Sequence, residues 1–178
     1  CIRDRKNTNH SLFDKYEMIK DLGTGSSGSV TLVRHISMDQ ERALKKVPKA
    51  SAFAESALSE ARLLKSLEHP SIPRIFDFEE DNAFYYIVEE YIDGETLDSF
   101  LLHQQLISPG LFFNICEQLC NVFIYLHTQI STPIIYRDLK PEHIIVCHNK
   151  LKLIDFGVSA YVIQDGNNFN HYGNIEFS

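Results

Sequence analysis

Two aspartates lie in segments whose neighbouring residues suit a single reaction. Asp138 belongs to residues 136–141, which read Tyr-Arg-Asp-Leu-Lys-Pro, and Asp155 begins an Asp-Phe-Gly triplet seventeen residues later. One aspartate can orient a hydroxyl and accept its proton, while a second can hold magnesium against the phosphate oxygens of a nucleotide. Asp138 suits the first task and Asp155 the second. The pattern predicts phosphoryl transfer, and the alternative is two acidic loops that flank a hairpin.

The residues between these aspartates predict the element that holds them near each other. Residues 144–146 and 151–154 are apolar runs, and a polar turn at 147–150 joins them. Short apolar runs on either side of a polar turn are typical of paired strands. We therefore expect a strand pair between Asp138 and Asp155.

Residues 22–30 carry glycines in a G-x-G-x-x-G-x-V pattern. Such glycines let backbone amides approach phosphates, because no Cβ atom is in the way. The glycines alone also fit a dinucleotide-binding turn that opens into a helix, or a hairpin turn without a ligand. Residues 29–33 alternate and are rich in β-branched side chains, which favours a hairpin between strands at 16–22 and 29–34. The candidate nucleotide-binding residues here are Leu22, Gly23, Thr24, Gly25, Ser26, Ser27, Gly28, Ser29 and Val30.

A lysine suited to phosphate binding follows on the next predicted strand. Residues 42–47 read Arg-Ala-Leu-Lys-Lys-Val, so Ala43 and Lys45 share one face of that strand and Leu44 takes the other. Alternation does not decide which of the adjacent lysines faces inward, but Ala43, small enough to admit a flat base, selects Lys45. A lysine in a cleft needs a counterion. Glu60 is the candidate, because residues 51–68 predict a helix with an apolar stripe at Ala57, Ala61, Leu64 and Leu67.

Together these motifs resemble the protein kinase family. The glycine loop, the strand lysine and the two aspartate motifs occur in the family's order, from about Phe13 to the last residue. Lys140 and Pro141, directly after the Asp138 motif, resemble the serine/threonine branch rather than the tyrosine branch. Residues 91–97 and 134–138 are similar to the eukaryotic-like serine/threonine kinases of bacteria.

The expected fold is α+β and kinase-like, with two lobes. We expect a flexible leader at residues 1–12, then an N-terminal lobe and hinge at residues 13–94, with an antiparallel sheet and one helix. Residues 95–178 would form part of a mainly helical C-terminal lobe with the catalytic loop and the activation segment. The resemblance implies that this lobe is truncated, because residues 173–178 align with the stretch before the family's Ala-Pro-Glu motif.

The resemblance also implies roles for individual residues. Asp138 would be the catalytic base, Lys140 would steady the transferring phosphoryl group, and Asp155 would bind magnesium. Lys45 would bind the α- and β-phosphates of ATP, braced by Glu60. The residues implied for the adenine are Leu22, Val30, Ala43, Ile145, Glu90 and Ile92, of which Glu90 and Ile92 act through their backbone.

Three positions depart from the family pattern. His143 stands where the family has an asparagine for a second magnesium, and an imidazole suits transition metals better than Mg²⁺. The expected cofactors are therefore ATP and Mg²⁺, with Mn²⁺ as the alternative ion. Tyr136 replaces a histidine and can still donate a hydrogen bond. Glu89 replaces an apolar side chain behind the adenine, where a buried carboxylate needs a partner.

These departures leave two functions open. The first is an ATP-dependent serine/threonine protein kinase that transfers the γ-phosphoryl group to protein hydroxyls, although we expect the 178-residue chain alone to lack full activity because the family's substrate-binding helices are missing. The second is a nucleotide-binding pseudokinase or regulatory scaffold without phosphotransfer. A dinucleotide-dependent oxidoreductase is disfavoured by the strand after the glycines and by the absence of alternating βαβ units.

Composition narrows the class of partner. The chain has 44% hydrophobic residues and a net charge of −7, so it can bury a core and has no basic footprint for nucleic acid. We find no apolar run of the roughly 20 residues that span a bilayer. The four scattered cysteines fit a reducing cytoplasm, although the parent protein can still carry a membrane anchor. The expected partner is a protein substrate with Ser or Thr.

A helix with one buried face is also predicted, because apolar residues recur at intervals of three and four and Ser108 and Pro109 precede them as a cap. These apolar residues are Leu111, Ile115, Leu119, Val122 and Leu126.

Overall fold

The computed structural model describes residues 12–25, 28–104 and 106–162. Its contacts divide the chain into two compact units. Unit 1 is the described part of Cys1–Ala54 with Phe76–Tyr91, and unit 2 is Glu55–Ile75 with the described part of Ile92–Ser178. The predicted α+β class is confirmed, because unit 1 is mainly strand while unit 2 combines helices with short strands.

Unit 1 is built on a five-stranded sheet. The strands are β1 (Tyr16–Gly25), β2 (Gly28–His35), β3 (Gln40–Pro48), β4 (Ile75–Glu80, whose first residue is grouped with unit 2) and β5 (Phe84–Glu90). Their order is β1-β2-β3-β5-β4, and the pairs β1–β2, β2–β3 and β3–β5 are antiparallel. The strands predicted at 16–22, 29–34 and 42–47 are confirmed, and each is longer than predicted.

A short helix, α1 (Leu12–Lys15), is fastened to this sheet just before β1. The backbone amide of Leu12 donates to Glu79 Oε2 at 2.6 Å, and Lys15 Nζ lies 2.7 Å from Asp77 Oδ2. Leu12 is buried in a core with Tyr16, Val33, Leu44, Tyr86 and Val88. Of the predicted leader at residues 1–12, Leu12 lies in this helix, and the other residues lie outside the described part of the chain.

The turn between β1 and β2 requires glycine at position 28. Gly28 has a φ of +136°, and a Cβ atom there would lie 2.1 Å from the carbonyl oxygen of Lys46. By contrast, a Cβ added at Gly23 or Gly25 would meet nothing within 4 Å. Gly28 is thus needed for the close approach of β2 to β3, whereas Gly23 and Gly25 leave open space beside the backbone.

Unit 2 contains three helices and five short strands among its described residues. The helices are α2 (Ala54–Lys65, with Ala54 grouped in unit 1), α3 (Leu97–Leu102) and α4 (Pro109–Ile124), and α4 continues into a π-helical turn at Tyr125–Gln129. The strands are β6 (Glu95–Thr96), β7 (Ile134–Ile135), β8 (Ile144–Cys147), β9 (Lys150–Leu153) and β10 (Ala160–Tyr161). They form the sheets β6-β8-β9 and β7-β10, and a 3₁₀ turn at Pro141–His143 leads into β8.

Both predicted helices are confirmed, and α2 is shorter than the predicted range of 51–68. α2 begins at Ala54 rather than at residue 51, because Ser51 forms a separate turn by accepting hydrogen bonds from the amides of Phe53 and Ala54. The hydroxyl of Ser108 accepts from the amide of Leu111 at 3.2 Å, and Pro109 occupies the first turn, as predicted for the start of α4. Part of each predicted apolar stripe packs into one core, which contains Leu64, Leu67, Val122 and Leu126 and has Ile115 and Leu119 packed against it. Its buried members are Leu63, Leu64, Leu67, Ile72, Leu97, Val122, Leu126, Ile134, Tyr136, Ile144, Val146, Leu151, Leu153 and Phe156.

The strand pair predicted between the two aspartates is also confirmed. Ile144 lies opposite Leu153, and the register continues to Cys147 opposite Lys150. The two turn residues, His148 and Asn149, have φ values of 49° and 63°, as hairpins with a two-residue primed turn require. Gln118 of α4 holds this hairpin, because it accepts from the amide of Leu151 at 2.9 Å and donates to the carbonyl of Asn149 at 2.9 Å.

Gly94 allows the chain entering β6 to pass close to β8. A Cβ atom at this position would lie 2.4 Å from the carbonyl oxygen of Val146 and 2.8 Å from Cγ2 of Ile145. The carbonyl oxygen belongs to a hydrogen-bonded strand, so it cannot move aside without loss of pairing. Only glycine fits this contact.

We predict that Gly94→Ala destabilises the protein by about 1–3 kcal/mol, because the added methyl group overpacks a fixed backbone contact. Chemical denaturation measures the change. Gly110→Ala is the matched control, since it lies in helix α4 with nothing within 4 Å of the added Cβ. Alanine is favoured in a helix, so the control should gain up to about 1 kcal/mol. Equal stability of the two variants would contradict the close approach at Gly94.

Candidate functional site

Asp138 lies in the loop before the 3₁₀ turn, with a cationic side chain beside it. Its Oδ2 atom is 3.3 Å from Lys140 Nζ, and the two side chains are 26% and 32% exposed. Both groups can therefore be reached from solvent while they remain paired. The preceding residue, Arg137, has a φ of 74°, which is unusual for a residue with a side chain and turns the backbone sharply before Asp138.

His143 lies between the two aspartates. Its Nδ1 atom is 3.1 Å from the carbonyl oxygen of Asp138 and 3.5 Å from Asp138 Oδ2, while its Nε2 atom is 3.3 Å from Asp155 Oδ2. The His143 side chain is only 12% exposed, whereas that of Asp155 is 54% exposed. The two aspartates predicted from the sequence are thus brought to opposite sides of one imidazole ring.

The backbone fixes this arrangement. The amide of His143 donates to the carbonyl of Lys140 at 3.0 Å, and the amide of Ile154 donates to the carbonyl of His143 at 2.8 Å. The second bond ties His143 to the residue directly before Asp155. Asp155 itself has a φ of 61°, a left-handed conformation that aspartate tolerates better than most residues. Its position is therefore set by the neighbouring backbone rather than by its exposed carboxylate.

Tyr136 contacts the residues on either side of Asp155. Its side chain is buried at 2% exposure, and its hydroxyl donates to the carbonyl of Ile154. Its ring packs edge-on against Phe156, with 5.1 Å between the ring centres. Burial, with smaller contributions from nearby carboxylates, raises the pKa of Tyr136, so the hydroxyl stays protonated and able to donate. The expectation that tyrosine can serve here as a donor is confirmed.

Helix α2 reaches the Asp-Phe-Gly triplet with two side chains. Glu60 Oε1 accepts from the amide of Phe156 at 2.9 Å, and the Ser56 hydroxyl donates to the carbonyl of Gly157 at 3.0 Å. The sequence pattern singled out Glu60 but missed Ser56. Its spacing from Glu60 could have identified Ser56, because residues four apart lie on the same face of a helix.

Unit 1 carries the glycine hairpin and Lys45. Val30 lies opposite Lys45 and Leu32 opposite Ala43, while Ala43 lies opposite Glu89 on the other side of β3. Side chains of directly opposed residues share a face, so Ala43 and Lys45 lie on one face, as predicted. Lys46 lies on the other face, with Nζ 4.0 Å from the ring centre of Phe84. Ser26 and Ser27 lie outside the described residues.

The remaining predicted nucleotide residues are divided between the units. Leu22 is 39% exposed and Ala43 is buried in unit 1, where Thr24 lies opposite Ser29 in the hairpin. Glu89 and Glu90 are partly exposed at the end of β5. In unit 2, Ile145 lies in β8 and Ile92 precedes Gly94. The predicted Lys45–Glu60 pair and the predicted adenine pocket each combine residues of both units, and they stay predictions.

Comparison with known proteins identifies the family. The Protein kinase domain model matches residues 16–177, so this chain belongs to the protein kinase domain family. It is 31% identical over 151 residues to serine/threonine-protein kinase PrkC of Bacillus subtilis (strain 168), covering 82% of this chain and 23% of PrkC. It is 35% identical over 171 residues to calcium-dependent protein kinase 4 of Plasmodium falciparum (isolate 3D7), covering 88% of this chain and 31% of that protein.

A fungal relative agrees with this assignment. The chain is 35% identical over 158 residues to cAMP-dependent protein kinase type 3 of Saccharomyces cerevisiae (strain ATCC 204508 / S288c), covering 86% of this chain and 39% of that kinase. The chain thus spans about a quarter to two fifths of the length of these relatives. The predicted kinase resemblance, including its likeness to a bacterial serine/threonine kinase, is confirmed. Among the described residues, no helix is both long enough and apolar enough to cross a membrane.

The family uses ATP and a divalent metal ion, and the donor atoms here fit such an ion in part. The carboxylate of Asp155 is the hard oxygen donor that Mg²⁺ prefers, whereas the imidazole nitrogen of His143 suits a transition metal. Within residues 12–25, 28–104 and 106–162, no cluster of three or more His, Cys, Asp or Glu side chains is arranged to hold a metal ion. An ion at Asp155 would therefore need ligands of another kind, such as phosphate oxygens.

We predict that Tyr136→Phe costs about 1–3 kcal/mol of unfolding free energy, because the Ile154 carbonyl loses a buried donor. Tyr125→Phe is the control. The hydroxyl of Tyr125 accepts a hydrogen bond from the exposed amide of Glu68, so the loss of this hydroxyl should cost less. The folded-state pKa of Tyr136 is raised, so the unfolded chain ionises first and wild-type stability falls as pH rises above about 10. The difference between wild type and Tyr136→Phe should therefore narrow at that pH in denaturant titrations. A constant difference from pH 7 to 11 would contradict the burial of this hydroxyl.

We predict that Ser56→Ala speeds amide hydrogen exchange in the peptide containing residues 155–159 by roughly 2–10-fold, the equivalent of one neutral hydrogen bond. Ser59→Ala on the exposed side of the same helix is the control and should leave this exchange unchanged. Mass spectrometry of the exchanged peptides measures both. Unchanged exchange in Ser56→Ala would show that the Ser56–Gly157 contact does not hold the triplet.

Proposed function

We propose that this chain is the catalytic part of a serine/threonine protein kinase, which transfers the γ-phosphoryl group of ATP to a protein hydroxyl. The observation that carries the proposal is the pairing of Asp138 Oδ2 with Lys140 Nζ at 3.3 Å in a loop joined through His143 to Asp155. This arrangement supports the proposal because it brings two carboxylates and an ammonium group near one another. The name of the Bacillus subtilis relative, a serine/threonine-protein kinase, supports the choice of serine and threonine over tyrosine.

Asp138 acts as the base in this proposal. Its carboxylate is partly exposed, so a substrate hydroxyl can reach it and donate a proton to it. Little bond-making chemistry is left to the protein in phosphoryl transfer, so most of the rate comes from orientation and charge stabilisation. Asp138 would therefore act mainly by holding the hydroxyl in line.

Lys140 supplies positive charge where negative charge spreads over the transferring group. Its side chain is 32% exposed, with Nζ beside Asp138, so it can contact both the carboxylate and a phosphate oxygen. In unit 1, the glycine hairpin and Lys45 would bind the triphosphate of the same ATP. Leu22, Val30, Ala43 and Ile145, with the backbone of Glu90 and Ile92, would receive the adenine.

The proposed metal cofactor is Mg²⁺, with Mn²⁺ as the alternative ion. Asp155 would hold it, and His143 would stand at the second position. Such an ion supplies charge neutralisation at the β- and γ-phosphate oxygens. What this chain contributes is a fixed carboxylate, because the backbone bond between Ile154 and His143 limits how far Asp155 can move.

A second candidate function is a nucleotide-binding scaffold that does not transfer phosphate. The observation that favours it is His143, whose ring contacts both aspartates where the family has an asparagine. If the ring pairs with both carboxylates and is not displaced, Asp155 holds an ion poorly and catalysis fails. Nucleotide binding through unit 1 would then remain as the protein's function.

The location and partners of the whole protein are part of the proposal. Cys116, Cys120 and Cys147 are free thiols, which fits a cytoplasmic protein. The net charge of −7 supports a protein substrate over nucleic acid. Fractionation of cells that express the full-length protein would test the location.

We predict that the full-length protein transfers phosphate from γ-labelled ATP to serine or threonine of a generic basic protein. Asp138→Asn should lower the rate by roughly 10²–10⁴-fold, because the proton acceptor is lost while the side-chain volume is kept. Phosphoamino-acid analysis identifies the acceptor, and the assay is run with Mg²⁺ and then with Mn²⁺. Asp93→Asn is the control, since Asp93 is exposed and outside the catalytic loop.

The same assay decides between the two candidate functions. ATP binding measured by calorimetry, with no transfer in either metal ion, would reject the kinase and favour the scaffold. Transfer that survives in Asp138→Asn at the wild-type rate would reject Asp138 as the base. Labelled tyrosine in place of serine or threonine would reject the assigned substrate class.

A further inference from the structure

We propose that a surface cavity of unit 2 binds an oxyanion, which is the phosphate or the carboxylate group of a small molecule. The cavity has a volume of about 260 Å³, and it lies where the segment after α2 meets α4 and β9. Its lining includes His69, Ser71, Gln118, Asn121 and Lys150, and we call it the α4–β9 cavity. These residues have no part in the proposed phosphoryl transfer, so the inference does not depend on the proposed function.

The first step is the rigidity of the walls. The carbonyl of Ser71 accepts from the amide of Leu153 at 2.8 Å, which ties the segment after α2 to β9. Gln118 ties α4 to the same hairpin, because its side chain accepts from the amide of Leu151 and donates to the carbonyl of Asn149. The walls are therefore held in place before any ligand binds, which reduces the entropy lost on binding.

The second step is the buried hydroxyl of Ser71. Only 7% of this residue is exposed, and its hydroxyl makes no hydrogen bond to another described residue. Because its backbone amide and carbonyl are paired with His69 and Leu153, the hydroxyl is the group of Ser71 that remains for a ligand in the cavity. A buried hydroxyl without a partner is unfavourable, so a hydrogen-bond acceptor beside it is stabilised.

The third step is the donor of His69. Its Nδ1 atom accepts from the amide of Ser71 at 3.1 Å, and a backbone amide can only donate, so the hydrogen of the neutral ring is on Nε2. Burial, with a smaller contribution from Lys152, lowers the pKa of His69, which keeps the ring neutral at neutral pH. Packing against Tyr125, with 5.0 Å between the ring centres, orients the ring. The Nε2–H group has no partner in the part of the chain that the structure describes.

The fourth step is the charge of the lining. Lys150 and Asn121 are exposed, and within the described ranges neither side chain has a hydrogen-bond or ion-pair partner. The described residues that line the cavity include no aspartate or glutamate. Glu68 and Glu117 adjoin lining residues in the sequence, but both are exposed outside the cavity. The lining is thus positively charged, although the whole chain carries −7.

These donors and this charge define the class of ligand. The Nε2–H group of His69 and the ammonium group of Lys150 can only donate, so the ligand supplies acceptor atoms. A phosphate or carboxylate group does so and also carries the opposite charge. The cavity is smaller than the roughly 300–1,000 Å³ of sites for drug-sized ligands, so it fits a small oxyanion rather than a nucleotide.

The test is nuclear magnetic resonance of the full-length protein with ¹³C at the Cε1 position of histidine. The signal that is lost in His69→Gln is assigned to His69. Inorganic phosphate and succinate are the probes, and each is titrated at constant pH and ionic strength against sodium chloride. The titrations are repeated with a saturating non-hydrolysable ATP analogue, which excludes an indirect effect of binding at the candidate nucleotide site. We expect a saturable shift of the His69 signal with one or both probes, and none with chloride.

Two variants and a control locate the binding. Ser71→Ala should lower the affinity by roughly 2–10-fold, because the ligand loses one hydrogen bond. It should not lower stability in chemical denaturation, since the hydroxyl has no partner among the described residues. Lys150→Gln should lower the affinity by roughly 2–5-fold, as expected for an exposed charge. Lys20→Gln is the matched control, because Lys20 is exposed in β1 of unit 1, and it should keep the wild-type affinity.

Each outcome decides for or against the cavity. A saturable shift with phosphate alone assigns a phosphate-bearing ligand, and one with succinate alone assigns a carboxylate; either result supports the inference. The inference is overturned if His69 does not respond at millimolar concentration, or responds to chloride as much as to the probes. A shift that persists unchanged in both Ser71→Ala and Lys150→Gln also rejects it. The kinase assay has no bearing on these results, so the proposed function can fail while this site stands.

Discussion

The arrangement of the candidate catalytic residues depends on two hydrogen bonds to the backbone of one partly buried residue, Ile154. Its amide donates to the carbonyl of His143, and its carbonyl accepts from the hydroxyl of Tyr136. These bonds fix the end of the β8–β9 hairpin against the catalytic loop, so the exposed side chain of Asp155 lies beside His143. Tyr136 can serve here because burial keeps its hydroxyl protonated. The partly exposed charged side chains of the site are thus positioned by the buried core of unit 2.

The charged side chains of the site form a connected series on this frame. Lys140, Asp138, His143 and Asp155 follow one another at separations of 3.3, 3.5 and 3.3 Å. The two aspartates share His143 as a neighbour but differ otherwise, because Asp138 also lies beside the ammonium group of Lys140, whereas the side chain of Asp155 is 54% exposed. The same type of side chain therefore has different surroundings at the two positions.

The local elements could be predicted from the sequence because their signals are short-range. Glycine spacing and β-branched residues predicted the β1–β2 hairpin, and apolar periodicity predicted α2 and α4. Contacts between residues far apart in the sequence were harder to predict. The Ser56 contact with Gly157 joins residues 101 positions apart, and a lone serine on a helix carries no chemical signal. The close approach at Gly94 was also missed, because it depends on the path of β8 and not on the glycine's neighbours in sequence.

A crystal structure of the protein with Mn²⁺ and a non-hydrolysable ATP analogue tests the central claim most directly. The account predicts the γ-phosphate within hydrogen-bond distance of Lys140 Nζ, on the side where Asp138 Oδ2 can accept a proton from a substrate hydroxyl. It also predicts anomalous density for manganese beside the carboxylate of Asp155. A triphosphate bound away from both side chains, with the ring of His143 still lodged between the two aspartates, would contradict it.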